Sequence, residues 1–201
     1  MLLRRFIYLT VAILGIAAIW FEMAATRAPK QAAIPAFGNV PDFKLTERSG
    51  KTVTLADMRG KIWVASFFYA SCPGQCPVMN GRLSALQADA LKNEGVYFVS
   101  ITTQPETDTP AVLKEYADRF HASDRWLFLT GDKEQIFKLS NQGFLLTAAD
   151  QTDPSAGAEP VIHSTKLVLV DRSGKIRGYY DAMDEDEVKA LSADIKKLMR
   201  E

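Results

Sequence analysis

Residues Ile62 to Tyr69 are apolar or aromatic at every position except Ser66. Such a run has no polar face to turn to water, so it suits a strand buried on both sides, as in a parallel sheet. The run ends at Ala70-Ser71 and is followed by Cys72-Pro73-Gly74-Gln75-Cys76-Pro77. Beyond that, Met79, Leu83, Leu86 and Ala90 fall at helical spacing. The two cysteines of the chain therefore stand where a buried strand stops and a helix starts. Ligands of open α/β sheets gather at the carboxyl ends of strands, so this junction is the first place to look for chemistry.

The remaining pattern extends the same plan. Phe43-Lys44-Leu45 and Val53-Thr54-Leu55 read as short strands around Ser49-Gly50. Val96 to Ile101 is a second buried strand and Trp126 to Leu129 a third. Asp108-Thr109-Pro110 opens a helix with Val112, Leu113, Tyr116 and Phe120 on its apolar face, and Asp132 caps another carrying Ile136, Leu139 and Phe144. Residues 148–160 are polar, with Pro154, Gly157 and Pro160, and read as a loop. Leu167 to Val170 and Ile176 to Tyr180 flank Asp171-Arg172-Ser173-Gly174 as a hairpin. A last helix opens on Asp184 to Glu187 and closes on Lys196, Lys197 and Arg200, which suits the helix dipole. A βαβ half followed by a ββα half is an α/β chain on the thioredoxin plan. The expected organisation is an N-terminal membrane segment over 1–25, a proline-bearing linker over 26–41 and one domain over 42–201.

The N-terminal segment fixes the expected compartment. Arg4 and Arg5 precede an apolar run from Phe6 to Phe21. A spanning helix needs about 20 residues. Cationic residues stay on the cytoplasmic side, so the domain is expected to face the periplasm or an equivalent extracytoplasmic space, on a single-pass anchor in the inner membrane. A cleaved secretory signal is the competing reading; the apolar run exceeds the usual signal core of about 7–15 residues, and Met23-Ala24-Ala25 is a poor cleavage site. The whole chain carries 24 basic and 24 acidic residues. Removing residues 1–30 takes away Arg4, Arg5, Arg27, Lys30 and Glu22 and leaves a net charge of −3. No basic stripe points to a nucleic-acid partner.

Three residues separate Cys72 from Cys76, a wider ring than a Cys-x2-Cys redox pair. Two thiolates so placed can face one soft ion, for which Cu(I) is the natural candidate. A helix N-terminus beside Cys76 is expected to lower its pKa. A structural disulfide is the plainer alternative in an oxidising compartment, but a loop this small gains little from closure. The chain has two histidines. His121 sits at a helix end and reads as a solvated residue. His163 stands between the polar loop and the strand from Leu167, on the side expected to face the cysteines, and is the candidate third ligand. Met79 is a possible soft donor, better read as a core residue of its helix.

With these residues assembled, the chain resembles the Sco (SenC) family. The matching pieces are Gly60-Lys61, Phe67-x-Tyr69, Cys72-Pro73-Gly74-Gln75-Cys76-Pro77, Asp108-Thr109-Pro110 with Leu113 and Tyr116, Trp126, Gly131, His163-Ser164, Leu169-Val170-Asp171, Gly174 and Arg177-Gly178-Tyr179-Tyr180. The resemblance covers roughly residues 37–200. It implies a thioredoxin-like domain on a single membrane anchor that binds Cu(I) or Cu(II) through Cys72, Cys76 and His163. It implies a metallochaperone role in building the CuA centre of cytochrome c oxidase subunit II, or delivery to another cupro- or thiol-protein. Some family members act instead as thiol–disulfide reductants, so an oxidoreductase built on Cys72 and Cys76 is the alternative. Loop 148–162 is expected to bring His163 to the cysteines. A peroxidase-like reading is weaker, since Arg82 is the one arginine near the motif. One departure stands out: where the family usually has an aspartate before proline, this chain has Gln104. An amide supplies no negative charge, so copper affinity, oxidation state or docking is expected to depart from the family pattern.

Overall fold

The structure is a computed structural model that describes residues 15, 16, 20, 34–90, 95–146 and 164–201. The chain divides into two compact units, Met1–Ala33 and Ile34–Glu201. In the first, Gly15, Ile16 and Trp20 are helical, and the rest of the expected anchor lies outside the described residues. No helix among the described residues is long and apolar enough to cross a membrane.

The second unit is an α/β domain around one eight-stranded sheet. Its strands are β1 (Gly38–Asn39), β2 (Lys44–Glu47), β3 (Thr52–Thr54), β4 (Ile62–Phe68), β5 (Val96–Thr102), β6 (Trp126–Thr130), β7 (Lys166–Val170) and β8 (Lys175–Asp181). Its helices are α1 (Leu55–Met58), α2 (Gln75–Ala90), α3 (Pro110–Arg119), α4 (Lys133–Lys138) and α5 (Glu185–Arg200), with a π-helical turn, Leu139–Gly143, running on from α4. The sheet order is β1-β8-β7-β4-β5-β6-β2-β3. Strands β4, β5 and β6 run parallel, while β7 pairs antiparallel with both β4 and β8. Parallel neighbours joined by helices, then an antiparallel hairpin, is the order expected from the sequence.

All seven residues of β4 are buried, and the strand sits between β5 and β7. Side chains of a strand alternate between faces. Ile62, Val64 and Phe68 pack with Met79 and Leu83 of α2, Leu113 and Tyr116 of α3, and Leu191 and Ile195 of α5. Trp63, Ala65 and Phe67 pack on the other face with Met58, Ile136, Leu139 and Phe144. Ser66 is the polar exception, and its hydroxyl lies 2.9 Å from that of Ser100, which also accepts the Trp126 indole N–H at 2.9 Å. A buried polar trio thus satisfies itself between three parallel strands.

Local chemistry sets the helix ends. Thr109 caps α3 with Pro110 at its first position, Asp132 caps α4, and Asp184 caps α5 with Glu185, Asp186 and Glu187 in the first turn. Within the β7–β8 turn, the Asp171 carboxylate accepts from the N–H groups of Ser173 and Lys175, and Gly174 takes φ of 79°. A left-handed residue there favours glycine.

Several expectations need adjusting. Residues 34–41 of the expected linker are part of the domain: β1 pairs with β8, Val40 is buried, and the Arg177 guanidinium donates to the Ile34 carbonyl at 2.8 Å. Leu55 belongs to α1, not to a strand, because Thr54 and Asp57 form a reciprocal capping box. Val112 faces outward and is 36% exposed, so the apolar face of α3 is Leu113, Tyr116 and Ala117. Phe144 lies beyond α4 and the π-helical turn, with its ring against Trp63 and Phe67. The expected loop at 148–162 lies outside the described residues.

The two sides of α2 give a direct check. Leu83 is fully buried while Val78 is 48% exposed. Leu83→Ala is expected to cost about 2–5 kcal/mol in urea unfolding, and Val78→Ala about 0.5 kcal/mol or less. Equal losses would contradict the orientation of the helix that carries the cysteine motif.

Candidate metal and thiol site

The site is built by the exit from β4. After Phe68 the chain turns, with the Cys72 N–H donating to the Tyr69 carbonyl at 3.2 Å, and α2 begins at Gln75. Cys72 lies in the turn and is half-buried; Cys76 lies in the first turn of α2 and is buried. Both are free thiols. They line one cavity of about 260 Å³ with Tyr69, Met79, Ser164 and Thr165.

The turn is anchored from below by Asp108. Its carboxylate is 2% exposed and accepts from the Ala70 N–H at 2.9 Å and from the Thr102 hydroxyl at 2.5 Å. The Thr107 hydroxyl lies 3.4 Å from its other oxygen. A buried carboxylate holding the Ala70 N–H and the Thr102 hydroxyl ties the cysteine turn to the end of β5. Asn80 does the same for the helix: its amide donates to the Cys76 carbonyl at 2.9 Å and to the Tyr116 hydroxyl at 3.0 Å. Neither role is evident from the sequence. A signal for Asp108 was present in Asp108-Thr109-Pro110, where Thr109 already supplies the cap and leaves the acid with no local task.

The two sulfurs are not equivalent. Burial pushes the Cys72 thiol up, but the backbone N–H groups of Cys76 and Gly74, the Cys76 thiol and the Tyr69 hydroxyl together outweigh it, so its pKa falls below the ordinary thiol value. Cys76 is pushed up to about 12, first by burial and then by the Cys72 sulfur, against a hydrogen bond from the Tyr69 N–H. The helix N-terminus therefore stabilises a thiolate on Cys72 rather than on Cys76. This corrects the expectation from sequence: the Cys76 N–H acts on both sulfurs, but burial of the Cys76 thiol outweighs it there. Tyr69 is raised to about 12 by burial and by its hydrogen bond to Cys72.

The other candidates fall out as follows. His163 lies outside the described residues, while the two that follow it, Ser164 and Thr165, line the cysteine cavity. His121 is exposed at the end of α3 with φ of 53°. Met79 is 1% exposed and packs in the core, yet it also borders the cavity. Gln104 caps the turn before α3 through its backbone, and its side chain does not line the cavity. Arg82 pairs with Glu185 at 3.8 Å. Among the described residues no group of three or more His, Cys, Asp or Glu is arranged to hold a metal. Two thiols at one cavity can close a disulfide, attack one, or hold a soft ion that takes its remaining ligand from elsewhere.

Reactivity follows from the asymmetry. The Cys72 thiolate fraction rises with pH through a midpoint below that of an ordinary thiol. Iodoacetamide is therefore expected to label Cys72 first in the reduced protein, with that low midpoint in its rate–pH profile. Cys76 is expected to resist until far higher pH. Mass spectrometry showing Cys76 labelled first, or equal midpoints, would contradict the geometry.

Comparison with known proteins agrees with the resemblance read from the motifs. A family model described as SCO1/SenC matches residues 32–200. The SCO1 protein homolog of Bacillus subtilis (strain 168) is 30% identical over 160 residues, covering 78% of this chain and 81% of the relative. A solved structure of BsSco, described as a Sco family member of the cytochrome c oxidase assembly proteins with a disulfide switch, superposes with a TM-score of 0.71 at 28% identity, covering 84% of this chain and 98% of that one. Bradyrhizobium japonicum ScoI, solved with copper bound, superposes with a TM-score of 0.63 at 27% identity, covering 80% of this chain and 99% of that one. The thioredoxin-like domain and its paired cysteines thus place this chain in the SCO1/SenC family.

Proposed function

We propose that this protein is a membrane-anchored copper metallochaperone that holds its cargo through Cys72, Cys76 and His163 and passes it to the CuA centre of cytochrome c oxidase subunit II. The observation that carries the reading is the meeting of both free thiols at one cavity. Thiolates select soft Cu(I), and an added imidazole makes a site that also accepts Cu(II). Support for His163 comes from its chain neighbours Ser164 and Thr165 at the same cavity, and support for copper from the copper-bound ScoI relative. Assembly of the oxidase is what BsSco is described as serving.

In this reading the reduced pair takes up one copper ion. Cys72 presents the accessible thiolate, and Cys76, buried at the helix start, is drawn into its anionic form when the ion replaces its proton. Thiolates of the partner then displace the ligands one at a time, beginning at the exposed Cys72 side. The apolar run Phe6 to Phe21, with Arg4 and Arg5 before it, supports an inner-membrane anchor with the domain in the periplasm.

The same asymmetry favours a second reading, a thiol–disulfide reductase of CuA-site or other extracytoplasmic cysteines. Cys72 would attack the partner disulfide as thiolate and Cys76 would resolve the mixed disulfide, leaving Cys72–Cys76 oxidised and the partner dithiol reduced. The disulfide switch described for BsSco supports it.

Anaerobic Cu(I) titration of the reduced full chain separates the two. The metallochaperone reading expects one tightly bound copper per chain, lost in Cys72→Ala, Cys76→Ala and His163→Ala. Absence of tight copper binding in the wild type, with turnover of a protein disulfide retained in His163→Ala, would replace it with the reductase.

A further inference from the structure

The segment that carries Cys72 is held at two points by the end of β5. The carbonyl of Phe68, the last residue of β4, accepts from the Thr103 N–H at 2.8 Å. The Ala70 N–H donates to the buried Asp108 carboxylate at 2.9 Å. Cys72 follows two residues on, with its own N–H on the Tyr69 carbonyl between those two clamps. The carboxylate is itself fixed. The oxygen that takes the Ala70 N–H also accepts from the buried Thr102 hydroxyl, which in turn accepts from the Gln104 N–H at 3.0 Å. The Asp108 N–H donates to the Gln104 carbonyl at 2.9 Å, so the segment 104–108 closes around its own acid. Thr109, not Asp108, caps α3. A buried carboxylate is costly unless donors satisfy it, and here one of those donors comes from the cysteine turn rather than from the helix that follows the acid.

We propose that Asp108 is the positioning residue of the thiol pair: by holding the Ala70 N–H it fixes where Cys72 stands relative to Cys76 before any ion arrives. The inference rests on the proposed uptake of copper by this pair, though two of its readouts need no copper. Cys76 takes its place from α2, whose first turn Asn80 supports through the Cys76 carbonyl. Cys72 lies in an irregular turn, with neither a helix nor a strand ladder to hold it. A turn left untethered must be ordered when two sulfurs close on one ion, and that ordering weakens binding. The bond to Asp108 does this ordering in advance, as the domain folds. Asp108 does not line the cysteine cavity, so it acts through the turn and not on the ion.

The test compares the reduced full chain with Asp108→Ala and Asp108→Asn. Asparagine keeps an acceptor oxygen for the Ala70 N–H and removes the charge; alanine removes the acceptor. The readouts are hydrogen exchange at the Ala70 amide of the metal-free chain, Cu(I) affinity by competition with a chelator, and affinity for phenylarsine oxide. That reagent takes up two thiols, forming two As–S bonds and releasing water, so it reports the spacing of the sulfurs without copper. In Asp108→Ala the Ala70 amide is expected to lose its protection and both affinities to fall about tenfold, the equivalent of ordering one backbone residue. Asp108→Asn is expected to stay within twofold of wild type. Ile176→Ala, which removes buried volume on the other face of the sheet, is expected to lower stability and leave both affinities within twofold. If Asp108→Ala does not fold, Thr102→Val takes its place: loss of the hydroxyl that fixes the carboxylate is expected to lower both affinities about fivefold, and Thr102→Ser to restore them. Affinities within twofold of wild type in the alanine variant, or in Thr102→Val where that stands in for it, would overturn the proposal. So would an asparagine variant as weak as the alanine variant, or an equal loss in Ile176→Ala. If the wild type binds no copper while phenylarsine oxide still separates the variants, the metallochaperone reading fails and the role of Asp108 stands.

Discussion

Burial of β4 on both faces is the constraint on which the rest of the domain depends. The strand has no side to give to solvent, so the chain must cover it with helices on one face and with α1, α4 and the π-helical turn on the other. Strands β5 and β7 must also flank it, because backbone groups this deep need ladder partners. The apolar run ends at Phe68, and its carboxyl end is where the chain first regains access to water. Cys72 and Cys76 occupy that exit. Their position is a consequence of the way the core closes, not of a separate device.

What the exit does to the cysteines is a matter of a few ångströms of depth. Cys72 stays in the turn, within reach of the first N–H groups of α2, and gains stabilisation for its anion. Cys76, inside the first turn of α2, meets the apolar core beside Met79 and Leu83. One thiol is thereby prepared to react or to release, and the other to hold. The division suits both proposed chemistries, delivery of copper and exchange of disulfides. Beneath the cysteines, Asp108 holds the turn and Asn80 the start of the helix.

Much of this was legible in the sequence because it rests on pattern. Unbroken apolar runs in β4 to β7, helical spacing after the cysteines and capping residues before α3, α4 and α5 are local signals with local causes. The cysteine pair was legible as a site because of where it falls between strand and helix. The parts that were not legible depend on tertiary contact. Residues 34–41 read as linker because their composition is that of one, yet they add an edge strand through β8. The greater acidity of Cys72 over Cys76 depends on how deeply each sulfur is buried and on the N–H groups around it, and spacing does not encode that. Asp108 acts through space on a turn whose shape appears only when β4, β5 and α2 are assembled.

Both cysteines and His163 are proposed to hold one copper ion. X-ray absorption at the copper edge of the Cu(I)-loaded full chain, compared with His163→Ala, tests it. Two thiolate sulfurs and one imidazole are expected around copper in the wild type, with the imidazole signal absent in the variant. A copper environment with fewer than two sulfurs, or an imidazole signal that survives in His163→Ala, would contradict it.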